Sequence, residues 1–256
     1  VSRPFLSIVI PAFNEADGIT GTLNDVVQGL DSLGRPFEVV VVDDGSGDET
    51  AALVEAQAAN EPRIRLIRAA HFGKGAAVRR GMLEAQGEWR FLADADLSMP
   101  IAQVRRFLPA EPGAHPGVHP SAHPDVLIGS REAAGAERVD EPWHRHLLGR
   151  VFNRAARLLV VGGIQDTQCG YKMFSAAAAD TLFPAQTLVG FGFDVEILFL
   201  ARRAGFTIRE VPVTWTYRTR TTVTALSGAG GFADLLRVRW NQLCRRYPPP
   251  ARPEPR

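Results

Sequence analysis

Asp94 and Asp96 stand two residues apart at the end of an apolar run, in RFLADADLSMP (90–100). Two carboxylates roughly 5 Å apart repel one another, more strongly where water is excluded. The spacing makes chemical sense if a cation lies between them, or if both point into water. Glu15, Asp43 and Asp44 follow earlier apolar runs in the same way. An acidic rim of this kind binds a diphosphate only through a divalent cation, and Mg²⁺ or Mn²⁺ suits because hard cations take carboxylate and phosphate oxygens together. In a chain that stays extended, residues i and i+2 share a side. One of Asp94 and Asp96 then reaches the metal and the other reaches sugar or ribose hydroxyls.

Such residues need a scaffold that delivers them to one place. Short β-branched runs alternate with helical spacing: strands over 6–10, 37–42, 63–67 and 88–94, helices over 14–33, 48–60 and 73–87. Four βα units in succession imply a mostly parallel α/β sheet with helices on both faces. Ligands of such sheets bind beyond the carboxyl ends of the strands. PAFNE, DDGS, HFGKG and DAD fall there, one after each strand. Residues 109–125, rich in Pro and Gly, read as a loop. His115, His119 and His123 recur in it, but His-Pro steps cannot form the helix that would gather them around a metal. A strand over 125–129, helices over 144–163 and 193–205 and a strand over 207–215 follow. The Pro- and Arg-rich tail after Tyr247 is expected to be disordered.

Bulk properties narrow the function. A chain of 256 residues fits one large domain. With a net charge of +1, no basic field argues for nucleic acid. Two cysteines, Cys169 and Cys244, make no disulfide framework and fit a reducing compartment. No signal peptide is evident, and no apolar run reaches the ~18–20 residues that cross a bilayer. The expectation is a cytoplasmic protein, soluble or peripheral at the membrane. The turn after the first strand lacks the G-x-G-x-x-G of dinucleotide sites, and no P-loop motif occurs. GKG, with Lys74, is a weak phosphate-loop candidate.

SIVIPAFNEADGI, VVVVDDGSGDET, GKGAAVRRGM, DADLSMP and GSR arrive in the order and spacing of the family 2 glycosyltransferases. The later stretch IQDTQCGYKMF…FGFDVEILFLARRAGFTIREVPVTW resembles the polyprenyl-phosphate branch, which holds dolichyl-phosphate β-glucosyltransferases and dolichol-phosphate mannosyltransferases. The resemblance implies a GT-A (Rossmann-like) domain over 1–227, with a nucleotide-sugar half over 5–100 and an acceptor half over 125–227. An amphipathic helix over 228–247 and a tail over 248–256 complete the chain. Pro11, Phe13 and Glu15 resemble the base-binding segment, with Phe13 in place of a more usual tyrosine. Val42, Asp44 and Lys74 fall to the nucleotide cradle. Asp94, Ala95 and Asp96 match the DxD motif, with Asp96 the leading metal ligand and Asp94 beside it. Ser98 sits where mannosyl relatives carry a glutamine on the metal. Arg131 would pair with a phosphate. Arg218 or Arg220 corresponds to a basic loop over the diphosphate, although the lysine expected after it is absent.

The resemblance also implies inversion at the anomeric carbon, with UDP-glucose favoured over GDP-mannose as donor and a polyprenyl phosphate as acceptor. A phosphate monoester is ionised at neutral pH, its second pKa being about 6, and needs no general base. Asp166, with Gln168, either shapes the acceptor site or caps a turn. Cys169 reads as a packed residue. A soluble or polymeric acceptor would instead need a base, for which Asp194 or Glu196 would serve. A nucleotidyltransferase would carry a Gly- and basic-rich loop after the first strand, which PAFNE is not. A non-catalytic nucleotide-sugar-binding module would have no need of both DAD and DDGS. Phe232, Leu235, Leu236, Trp240 and Leu243 fall on one helical stripe with Arg237, Arg245 and Arg246 nearby. That stripe suits either a lipid interface or the domain's own core. The helix bearing His144, Arg145, Arg150, Arg154 and Arg157 is a second candidate for headgroup contact, or a solvated face.

Overall fold

A computed structural model of the protein describes residues 3–109, 123–217 and 225–249. The chain begins β1 (Leu6–Ala12), α1 (Ile19–Asp31), β2 (Phe37–Asp43), α2 (Thr50–Asn60), β3 (Ile64–Arg68), α3 (Lys74–Glu84) and β4 (Trp89–Leu92). A 3-10 helix (Ile101–Arg106) leads towards β5 (Val126–Ser130), β6 (Glu137–Val139) and α4 (Trp143–Leu159). Then come β7 (Lys172–Ser175), α5 (Ala176–Ala185), α6 (Phe193–Ala204), β8 (Ile208–Pro212), β9 (Thr214–Thr216) and α7 (Ala225–Leu243).

Seven strands form one sheet in the order β3-β2-β1-β4-β7-β5-β8, and β6 pairs with β9 in a small second sheet. β1 is buried at every position but Pro11, which is how a central strand covered on both faces must read. Its side chains alternate between two cores. Val9 joins Val40, Val42, Val78 and Met82 under α3, while Ile8 and Ile10 join Val39, Val41, Leu23 and Val26 under α1. Each such valine or leucine contributes about 1.5–3 kcal/mol on burial.

All pairs are parallel except those of β7, which runs against both β4 and β5. The sequence pattern did not reveal β7: KMFS is four residues long and runs directly into α5. Its reversal has a consequence for the site. Lys172, at its amino end, is paired with Leu92 and Ile128, at or near the carboxyl ends of β4 and β5. The segment before β7 therefore arrives at the same edge as the loops after β1, β2, β4 and β5. Connections diverge beside β1, to β2 on one side and β4 on the other, and this is where α/β sheets open a crevice. The expected strand over 207–215 breaks at Val213, whose neighbours serve two different sheets. Among the described residues no helix is long and apolar enough to cross a membrane.

Candidate active site

The DAD segment does not continue as a strand. β4 ends at Leu92, and the Leu97 amide donates to the Asp94 carbonyl at 3.2 Å. Leu97 takes a left-handed φ of 43°, a conformation that costs a non-glycine residue about 1–3 kcal/mol. Its surroundings hold it there: Thr22 Oγ1 donates to the Ala95 carbonyl at 2.5 Å, and the Tyr171 hydroxyl donates to the Met99 carbonyl. The extended geometry expected to put Asp94 and Asp96 side by side is thus replaced by a turn, and the two carboxylates take different partners.

Asp94 Oδ1 lies 2.6 Å from Lys74 Nζ at the start of α3. Burial works against both charges. The attraction of Lys74 outweighs it and holds the Asp94 carboxyl below its ordinary value; the carboxylates of Asp94 and Asp194 likewise hold the Lys74 ammonium above its own. Asp94 is therefore an ion-pair partner here, and Lys74 is its counter-ion. Close packing fixes this arrangement, because a Cβ on Gly170 would lie 2.0 Å from Asp94 Oδ2. Asp96 instead accepts from the Ser98 amide at 2.9 Å and the Ser98 hydroxyl at 2.7 Å. Ser98, buried, orients Asp96 through that hydroxyl.

Two more ion pairs lie under the same edge. Arg131, just after β5, meets Asp166 through Nε at 2.7 Å and Nη2 at 3.0 Å. Asp166 is fully buried and also accepts from the amides of Arg131 and Gln168. Burial would raise its pKa, but Arg131 overcomes that and holds the carboxyl far below the carboxylate range. Asp166 thus anchors Arg131 and caps the turn leading to Gln168. Lys172 Nζ lies 2.7 Å from Asp194 Oδ1 and donates to the Cys169 carbonyl at 2.5 Å. The Asp194 contact is an ion contact outside hydrogen-bond angles, since Oδ1 has no hydrogen-bond partner. Burial pushes the Cys169 thiol up to about 12, so it is a packed residue and not a thiolate. Three cations thus face three carboxylates. Asp96, near enough to act on Lys74 and Tyr171, has no ion pair among the described residues.

On the other side of the crevice Phe13 and His71 stack with centroids 4.2 Å apart and planes 19° apart. His71 Nδ1 is 2.9 Å from Asp44 Oδ2, and Asp44 also accepts from the Phe72 and Gly73 amides. Asp44 thereby supports the turn that carries His71. Val42 turns its side chain into the core cluster that holds Val9 and Met82. Glu15 starts α1 through its carbonyl, which accepts from Gly18 and Ile19, and its amide is held by Thr50 Oγ1 at 2.8 Å. Pro11 is half-buried in β1, in register with Val42. Arg218, Arg220, His115 and His119 lie outside the described residues. His71 and Lys172 escaped the sequence reading. HFGKG drew notice for its glycines and lysine, and the lysine in GYKMF has no period or spacing to mark it as a buried cation.

Among the described residues no three His, Cys, Asp or Glu side chains gather around one point. One open carboxylate, with the remaining ligands from phosphate and water, is how Mg²⁺ binds nucleotide sites. Asp96 fits an ion shared with a bound diphosphate.

The mostly parallel α/β sheet with helices on both faces has the GT-A architecture, and the chain belongs to glycosyl transferase family 2, whose family model matches residues 7–183. Among its relatives is a dolichyl-phosphate beta-glucosyltransferase of Trichomonas vaginalis, 35% identical over 84% of this chain and 64% of that protein. Another, from Dictyostelium discoideum, is 31% identical over 95% of this chain and 76% of that protein. The chain thus spans about two thirds to three quarters of these relatives. Among solved structures, glucosyl-3-phosphoglycerate synthase from Mycobacterium tuberculosis, in complex with Mn²⁺, UDP and phosphoglyceric acid, has the same fold. Its TM-score is 0.65 at 18% identity, over 93% of this chain and 78% of that one.

Proposed function

We propose that the protein transfers glucose from UDP-glucose to a polyprenyl phosphate, with inversion and with a divalent metal. One observation carries the reading: beside three ion pairs at the same edge, Asp96 keeps a carboxylate with no ion pair among the described residues. The names of the relatives, dolichyl-phosphate beta-glucosyltransferases, support the donor and acceptor.

Each residue has a separable task. The Phe13–His71 stack offers a face for the base. Asp96, steadied by Ser98, would hold the divalent metal, which when bound would neutralise charge on the leaving group. Asp94 and Lys74 keep the rim rigid, and Arg131, aimed by Asp166, supplies a fixed cation for a phosphate. The acceptor's phosphate oxygen forms the new bond to the anomeric carbon as the bond to the diphosphate breaks, and UDP leaves with that electron pair. No proton moves, so no base is required.

The state of the two candidate bases supports a phosphate acceptor over an alcohol. Glu196 is buried and accepts from the Thr187 and Leu188 amides, the Thr187 hydroxyl and the Tyr247 hydroxyl. Asp194 is engaged with Lys172. The test is a panel of UDP-glucose and GDP-mannose against a prenyl phosphate and free sugars, with Mn²⁺ or Mg²⁺, read by product mass. A hexosyl prenyl phosphate formed from UDP-glucose is expected. Transfer to free sugars alone would overturn the reading.

A further inference from the structure

α4 and α7 lie side by side. Phe152 and Phe232 meet edge to face at 5.3 Å, and Arg239 Nε donates to the Leu159 carbonyl. Both contacts join residues 80 positions apart, so the helices run in the same direction in fixed register. Their inner faces enter the core through Phe152 and Ala156 on one and Leu235 and Val238 on the other. The expected single stripe on α7 is therefore divided: Leu235 is buried, while Leu236 is 64% and Trp240 59% exposed.

Each helix has a second, outward apolar stripe. On α4 it is Leu147, Val151 and Leu158, the last 75% exposed. On α7 it is Phe232, Leu236, Trp240 and Leu243. Helical spacing puts each set on one face. On α4 the stripe adjoins the Phe152–Leu159 edge that meets α7, and on α7 it adjoins the Phe232–Arg239 edge that meets α4. In parallel neighbours these offsets have opposite hand, so the two stripes converge on the outward side of the pair.

The charge around them has one sign. α4 carries the exposed Arg150, Arg154 and Arg157 and no acid. α7 and the turn after it carry Arg237, Arg239, Arg245 and Arg246, and the one acid there, Asp234, lies against Gly192. A second copy of the same face would bring arginine against arginine. An anionic bilayer satisfies both the apolar stripes and the arginines. We propose that the outward face of the α4–α7 pair seats the protein on an anionic lipid surface. The proposal rests on the lipid-phosphate reading, since that acceptor's phosphate lies at such a surface. It also explains the tie between α4 and the site: Asn153 of α4 contacts Asp166 at 3.5 Å and accepts from Thr167 at 2.9 Å, so docking fixes the edge that holds Arg131.

The test is flotation of the 256-residue chain with phosphatidylcholine vesicles, with and without phosphatidylglycerol, beside sedimentation velocity. Wild type should float with the phosphatidylglycerol vesicles and sediment as a monomer. Leu158→Asp/Trp240→Asp should bind at least about tenfold more weakly, and Arg154→Gln/Arg157→Gln should lose the preference for phosphatidylglycerol. Both variants should keep the wild-type circular dichroism and wild-type transfer to a short, water-soluble prenyl phosphate. Wild type that ignores both vesicles, variants that bind like wild type, or a wild-type dimer dispersed by Leu158→Asp/Trp240→Asp would overturn it. Vesicle binding without any transfer to the soluble prenyl phosphate would support the docking face and overturn the acceptor reading alone.

Discussion

Asp96 is set apart by its neighbours. Lys74 takes Asp94, Lys172 takes Asp194 and Arg131 takes Asp166, while Asp96, beside a strained turn, has no ion pair among the described residues. Charges so arranged cost stability when a single partner is removed, because a buried ion pair that loses one member leaves the other in low dielectric. Lys172 and Asp194 are the clearest case, at 1% and 8% side-chain exposure. Lys172→Met should destabilise the protein by about 3–5 kcal/mol, measured by urea unfolding, while Lys172→Met combined with Asp194→Leu should recover most of the loss. A loss from the single variant within about 0.5 kcal/mol of zero, typical of a surface change, would show that the pair is not buried in solution. The residue types at these positions were only half legible. DAD and DDGS announce themselves by spacing, whereas the partners that divide their roles lie 20 or more positions away, and pairing at that range leaves no local pattern.

The elements explain why that division was hidden. The sequence pattern found the first four strands and three helices because buried apolar runs alternate there with helically spaced segments, each set off by a turn. It missed β7, whose four residues run directly into α5 with no turn to set them off, and with it the reversal that brings Gly170 and Lys172 to the crevice. It also carried β4 two residues too far, because a turn built on Asx-type hydrogen bonds and a left-handed leucine follows no period. The loops after β1 and β3 make the aromatic pair, with Phe13 stacked on a histidine that Asp44 holds in place. Phe13→Ala should weaken UDP binding by about tenfold to a hundredfold, the usual worth of a base–aromatic stack, with little change in melting temperature. Calorimetric titration with UDP checks it, and unchanged affinity would remove the base from this face.

At the scale of the whole molecule, the buried pairs link acid stability to the site. Asp166 has a depressed folded-state pKa, so below about pH 4 the unfolded chain binds a proton that the folded chain resists. Its contribution is fully present above that ordinary carboxylate value and is lost as pH falls towards the folded one. Asp166→Asn should therefore be less stable than wild type at neutral pH, with the gap narrowing from about pH 5 to about pH 2. Urea midpoints across that range check the sign, and a gap that widens towards acid would reverse it. Two halves of one sheet meet at the same edge, the first with the aromatic pair and Asp96, the second with Arg131. The most direct test of that design is calorimetric titration of UDP-glucose with Mn²⁺ and with chelator, in wild type and Asp96→Ala. The account predicts that Mn²⁺ tightens binding by at least about tenfold, one or more charge-assisted contacts, in wild type and not in a folded Asp96→Ala. Equal affinity with and without Mn²⁺ in wild type, or an undiminished metal effect in Asp96→Ala, would contradict it.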